Sequence, residues 1–107
     1  MRISDFQERV YRAASRIPRG RVSTYKLLAA AIDCRSPRAV GQALRRNPFA
    51  PEVPCHRIIR ADLTVGGFMG EERGPLWRRK IELLRREGVL FRHGVLIDAA
   101  RLYNPAL

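Results

Sequence analysis

Apolar residues recur at helical spacing near the start of the chain, at Phe6, Val10, Ala13, Ala14 and Ile17. These positions share one face of a 3.6-residue period. Ser4 and Gln7, at their start, stand at capping-box spacing, in which each side chain satisfies the other's free backbone N–H. The pattern predicts a first helix from about Asp5 to Ser15 or Arg16, closed by Pro18 and Gly20. A second helix, Tyr25-Lys26-Leu27-Leu28-Ala29-Ala30-Ala31, follows Ser23 and Thr24, either of which can cap it. Ser36-Pro37 opens a third, from Arg38 to about Arg46, because proline is tolerated at the first helical position. Asn47-Pro48 ends it. Three short helices with a brief turn between the last two predict a helix-turn-helix.

Beyond Asn47 the helical period disappears. The proline-rich stretch Phe49 to Pro54 reads as an irregular loop, and His56-Arg57-Ile58-Ile59 as a short strand. Val65-Gly66-Gly67-Phe68-Met69-Gly70 reads as a glycine-rich loop. Pro75 and Gly88 bracket a final helix containing Leu76, Lys80, Leu83, Leu84 and Glu87. Val89-Leu90-Phe91 and Val95-Leu96-Ile97 can pair as a hairpin around His93-Gly94. The expected fold is mainly α: a winged-helix-like three-helix domain with a helix-turn-helix and a small β element. No repeat or linker divides residues 1–107, and no N-terminal domain is expected ahead of them.

Composition adds the partner. The chain has 107 residues, 46% of them hydrophobic, enough for one folded domain. Twenty-one basic residues against ten acids give a net charge of +11, and only Lys26 and Lys80 are lysines. So basic a small domain suits a polyanion, and arginine suits bidentate phosphate or base contacts. A densely charged surface with no such partner is the competing explanation. No apolar run is long enough for a bilayer span, and the first residues are not a signal peptide. The protein is expected to be a soluble, cytoplasmic, nucleoid-associated monomer without membrane contact. Cys34 and Cys55 are read as free thiols, since neither a secretory signal nor paired metal-ligand spacing accompanies them.

Pro54-Cys55-His56-Arg57 is the stretch with most chemistry. A thiol attacks only as thiolate, which requires a nearby base or positive field. His56 is adjacent, although neighbours on a strand point to opposite faces; a bridging water or a turn after Pro54 would bring the pair together. Taken alone, a cysteine beside a histidine is more often an inert core residue.

The wider pattern is more specific. Gly20-Arg21-Val22-Ser23-Thr24-Tyr25, Arg38-Ala39-Val40-Gly41, Asn47-Pro48, Pro54-Cys55-His56-Arg57-Ile58, Gly66-Gly67-Phe68 and Lys80 to Glu87-Gly88 follow one another in that order. This resembles the C-terminal domain of O6-alkylguanine-DNA alkyltransferases (methylated-DNA–protein-cysteine methyltransferases), over roughly Ser4 to Gly88. The resemblance implies that the protein binds double-stranded DNA carrying O6-alkylguanine, flips that base out and transfers the alkyl group irreversibly to Cys55. It implies that His56 deprotonates the thiol through a water, that Glu87 orients the imidazole and that Tyr25 protonates the departing guanine. Asn47 would brace the turn between the helix-turn-helix and the active-site loop. Arg38 would fill the space left by the flipped base, with Ala39 and Gly41 allowing close approach to the minor groove and Arg45 and Lys26 on phosphates. Phe68 would wall the pocket, where the family often has tyrosine, while the Met69 N–H and the Cys55 and Ile58 carbonyls would read the guanine edge. No metal, nucleotide or organic cofactor is implied. Asp62-Leu63 stands where the family usually has glycine, Glu71 to Pro75 is slightly long, and the N-terminal domain carried by many members is expected to be missing.

Three other readings remain. An alkyltransferase-like protein would recognise the lesion without transfer and recruit other repair proteins; Cys55 argues against it. A sequence-reading regulator would need more base-specific side chains than Arg38, Gln42 and Arg45. A cysteine hydrolase would need an oxyanion hole that these residues do not reveal.

Overall fold

The structure is a computed structural model, described here for residues 3–68 and 73–106. Met69 and Gly70 of the expected loop, and Glu71 and Glu72 of the long connection, lie outside the described residues.

Helix α1 spans Asp5–Ala14, and Ser4 and Gln7 form the expected capping box. Its apolar stripe, Val10, Ala13 and Ala14, is buried, and the Tyr11 hydroxyl donates to the Ala43 carbonyl at 2.7 Å. Helix α2, Tyr25–Ala31, is capped by Thr24, whose hydroxyl accepts from the Leu27 N–H. Helix α3, Pro37–Arg45, is capped by Ser36. It buries Val40, Ala43 and Leu44 against the first two helices. Between α2 and α3, Asp33 takes a left-handed φ of 54° and the Cys34 N–H returns to the Ala29 carbonyl at 2.8 Å. The helix-turn-helix is therefore closed by local hydrogen bonds at both caps.

The expected strand His56–Ile59 is shorter. Cys55–Arg57 is a 3-10 turn, closed by the Arg57 N–H on the Pro54 carbonyl at 2.9 Å. Only Ile58–Ile59 is extended, as strand β2. It pairs in parallel with β1, Ser23–Thr24, in the register Ser23 to Ile58 and Thr24 to Ile59. Side chains alternate across a strand, so Ile58 enters the core of α1–α3 while Ile59 joins a second cluster of Val22, Leu84, Val89 and Leu96.

Helix α4, Pro75–Arg86, is a fourth helix beside the three-helix unit, and Gly88 follows it at φ 85°. The hairpin forms from β3, Phe91–Arg92, and β4, Val95–Leu96. Its two turn residues, His93 and Gly94, both have positive φ, 50° and 77°, which matches the twist of the flanking strands. The chain then returns to β1, where the Tyr103 N–H donates to the Val22 carbonyl at 2.7 Å. The architecture is mainly helical with small strands, as the apolar pattern indicates.

Candidate active site

Asn47, immediately beyond α3, starts the construction of the site. Its side-chain Nδ2 donates to the Val53 carbonyl at 2.9 Å and its Oδ1 accepts from the Phe49 N–H at 2.8 Å. These bonds fold the loop 48–54 back on itself and deliver Pro54 and Cys55 to the open side of α3. Cys55 is only 7% exposed. That small exposure opens on a cleft of about 560 Å³ lined by Tyr25, Arg38, Gly41, Arg45, Arg60 and Phe68, among others. Arg38, Gly41 and Arg45 are spaced three and four apart on α3, so they form its outward face.

Next along the chain, His56 is buried and its Nε2 lies 3.1 Å from Glu87 Oε2. Burial alone would raise the Glu87 pKa, but hydrogen bonds from Arg57 and His56 outweigh it and hold the carboxyl below its ordinary value. Glu87 is thus an anion, and the imidazole donates Nε2–H to it, leaving Nδ1 with its lone pair. Burial lowers the His56 pKa although Glu87 opposes the shift, so the ring is neutral at neutral pH. Burial likewise raises the Cys55 thiol; a hydrogen bond from Asn47 and the charge of Lys80 act against that. At rest Cys55 is a thiol and His56, the residue after it, a neutral base.

Two participants carry no expected role. Arg57 grips Glu87 with both Nε and Nη2 at 2.9 Å and donates Nη1 to the Ile17 carbonyl at 2.9 Å. The carboxylate is therefore fixed by Arg57 independently of His56. Lys80 is completely buried, and its Nζ donates to the carbonyls of Ile58, Val65 and Gly67 at 2.6, 2.7 and 3.0 Å. Burial lowers its pKa to about 7, the Cys55 charge opposes this, and Arg60 adds to it. Lys80 ties β2 to the glycine-rich loop and so sets the cleft wall. Its place in the apolar stripe between Leu76 and Leu84 is the sequence signal for it.

The other expected residues divide. Tyr25, Arg38, Gly41, Arg45, Cys55 and Phe68 share the one cleft. Ala39 and Lys26 do not line it; Lys26 is exposed on α2 and Ala39 half-buried on α3. Ile58 is fully buried, and its carbonyl faces Lys80 inside the fold. Met69 lies outside the described residues. Leu63, in the turn expected to favour glycine, adopts φ 70°, a left-handed backbone that a bulky residue rarely takes. It is held there by its N–H on the Arg60 carbonyl and by Leu96, whose N–H donates to the Leu63 carbonyl, both at 2.9 Å. Among the described residues no group of histidines, cysteines and carboxylates is placed to hold a metal ion.

The family described as 6-O-methylguanine DNA methyltransferase, DNA binding domain, matches residues 5–89. The chain belongs to this family. A methylated-DNA–protein-cysteine methyltransferase of Methanothermobacter thermautotrophicus is 43% identical over 86 residues, covering 80% of this chain and 46% of that protein. A DNA base-flipping protein of Thermus thermophilus is 44% identical over 88 residues, covering 82% of this chain and 56% of its own. The chain thus spans about half the length of the curated relatives it matches. A crystal structure of S. pombe ATL in complex with DNA superposes with a TM-score of 0.73 at 31% identity, over 98% of this chain and 94% of that one. The family match ends at Val89, whereas the superposition on ATL takes in nearly the whole chain.

Proposed function

We propose that this domain binds duplex DNA, receives an O6-alkylated guanine swung out of the stack into the Cys55 cleft, and transfers the alkyl group to Cys55. The observation that carries the reading is a nearly buried thiol opening on an arginine-rimmed cleft, whose next residue in the chain is a buried histidine paired with a carboxylate. A base inside a duplex cannot reach such a thiol, so the nucleotide must leave its stack. The arginines on the outward face of α3 suit the phosphates and the vacated space. Arg38 enters the gap, Gly41 permits close approach, and Arg45, with Lys26 and Ala39 on the flanks, faces the backbone.

The chemistry follows from the protonation states. His56 Nδ1 takes the thiol proton, directly or over one water, and Glu87 stabilises the imidazolium that forms. The sulfur lone pair attacks the alkyl carbon in line with the C–O6 bond; the S–C bond forms as the O6–C bond breaks. The electron pair left on the guanine is neutralised by a proton from the Tyr25 hydroxyl. A thioether offers water no leaving group, so each molecule acts once. Phe68 supplies an apolar wall for the base.

Incubation with a duplex containing O6-methylguanine should add the mass of one methyl group to the peptide containing Cys55. Undamaged duplex should add nothing, and Cys55→Ala should bind the lesion without modification. A second reading, recognition of the lesion without transfer followed by hand-over to other repair proteins, is favoured by the near-complete overlap with S. pombe ATL. Tight lesion binding with Cys55 left unmodified would select it.

A further inference from the structure

Beyond Arg60 the surface folds into a second cleft, of about 270 Å³, lined by Arg60, Thr64, Val65, Gly66, Arg73, Trp77, His93 and Gly94. Arg60 lines both clefts, so the two adjoin. Among the described residues none that lines it is acidic, and three, Arg60, Arg73 and His93, are basic types. The nearby carboxylate on the same loop, Asp62, uses Oδ1 on the Thr64 N–H and hydroxyl, at 3.0 and 2.7 Å. The walls are also fixed. The hairpin tip is pinned to the loop by the Val65 N–H on the Gly94 carbonyl at 3.0 Å and by the bridge between Thr64 and Val95. At Gly94 the space is open, with nothing within 4 Å of where a Cβ would stand. A ligand can therefore reach His93 and Gly94 without moving the hairpin, and a preformed site loses little to ordering.

We infer that this second cleft is a phosphate-binding site, which takes the sugar–phosphate backbone of the same DNA strand whose base occupies the Cys55 cleft. Cationic walls beside Trp77, whose indole N–H is a donor and whose ring is a flat apolar surface, suit a phosphodiester and its sugar. The adjacency through Arg60 matters most. A strand that inserts a base on one side of Arg60 must carry its next backbone groups along the protein surface, and this cleft lies there. The inference rests on the DNA reading proposed above, and it assigns the hairpin, outside the matched family region, a part in holding the strand.

Trp77 is the chain's single tryptophan, so its emission reports directly on the cleft. Duplex DNA, undamaged or alkylated, should change that emission, whereas inorganic phosphate at matched ionic strength should change it far less. Arg73→Gln removes a charge and His93→Asn an imidazole from exposed positions, and asparagine tolerates the left-handed backbone at residue 93. Each should weaken binding of both duplexes by the same factor, roughly threefold or more, and Arg73→Gln should also make the salt dependence shallower by about one phosphate contact. Methyl transfer from the free O6-methylguanine base, which has no backbone, should be unchanged in both variants. Affinity and salt slope equal to those of the unaltered protein would overturn the site, as would an emission change with inorganic phosphate as large as that with duplex. If the unaltered protein neither binds nor accepts alkyl from DNA, the DNA reading itself fails; binding that ignores Arg73 and His93 removes only this inference.

Discussion

The thiol of Cys55 and the imidazole of His56 are both pushed by burial towards their neutral forms. This has a consequence for pH. Because the Cys55 pKa lies above its ordinary value, its thiolate fraction keeps growing, about tenfold per pH unit, beyond the pH near 8.5 at which a free thiol is half ionised. Carboxamidomethylation of Cys55 by iodoacetamide in DNA-free protein, followed on its peptide by mass spectrometry, should therefore still accelerate above that pH. Asn47→Ala removes a hydrogen bond that lowers the thiol pKa, so it should move the curve further to alkaline pH. A plateau below the free-thiol value would instead show a preformed thiolate–imidazolium pair. At this scale the sequence reveals the members of the site better than their couplings. Cys55, His56 and Asn47 stand out through the ordered blocks that resemble the family; taken alone, an adjacent Cys–His pair reads as inert core and a helix-ending asparagine as a plain cap. The double hold of Arg57 on Glu87 spans 30 positions and has no local signature. The burial of Lys80 shows only as a charge in an apolar stripe, whose partners are carbonyls of β2 and the loop that residue type alone cannot indicate.

Helix α3 shows how an element divides its residues between stability and contact. Val40, Ala43 and Leu44 face the core, while Arg38, Gly41, Gln42 and Arg45 line the Cys55 cleft. A Cβ at Gly41 would stand 3.7 Å from the Tyr25 ring, an ordinary contact. Glycine inside a helix costs about 1 kcal/mol relative to alanine. Gly41→Ala should therefore raise the thermal midpoint by the equivalent of about 1 kcal/mol, yet weaken duplex binding by placing a methyl group on the face proposed to meet DNA. Ser36→Ala is the counterpart: it removes the α3 cap and should cost about 1 kcal/mol of stability, with little direct effect on binding. Increased stability with unchanged duplex affinity in Gly41→Ala would take α3 off the DNA. Helices such as this one are legible because caps and apolar spacing act within a few residues; Ser4, Thr24 and Ser36 all cap as their positions indicate. The parallel pairing of Ser23–Thr24 with Ile58–Ile59 is not, since two residues are too few to display a period and their partner lies far along the chain.

The net charge of +11 describes the molecule less simply than it suggests. Several arginines are committed to the fold: Arg9 donates to the Ile32 carbonyl, Arg16 to Pro105, Arg19 to Arg86, Arg21 to Arg101 and Leu102, and Arg101 to Gly20. Much of this work fastens the residues after Gly88, of which 90–106 lie beyond the matched family region, to the start of the chain. Those residues also complete the second cluster, in which Val89 and Leu96 cover Val22, Ile59 and Leu84. Fully burying each such side chain is worth about 1.5–3 kcal/mol, and a small domain has only about 5–15 kcal/mol in total. Shortening the chain to end at Gly88 should therefore remove about 3–6 kcal/mol from Val89 and Leu96 alone. Ile59 would lose its cover on the face opposite the Cys55 cleft, and the loop carrying Leu63 would lose the Leu96 N–H that holds its left-handed turn. The expected result is a lower, broader thermal transition by circular dichroism, accompanied by loss of alkyl transfer even from the free base, because β2 and the Lys80-bound loop shape the cleft. A shortened chain that melts like the full one and still transfers from the free base would make the tail an appendage, and the two clusters would then be independent.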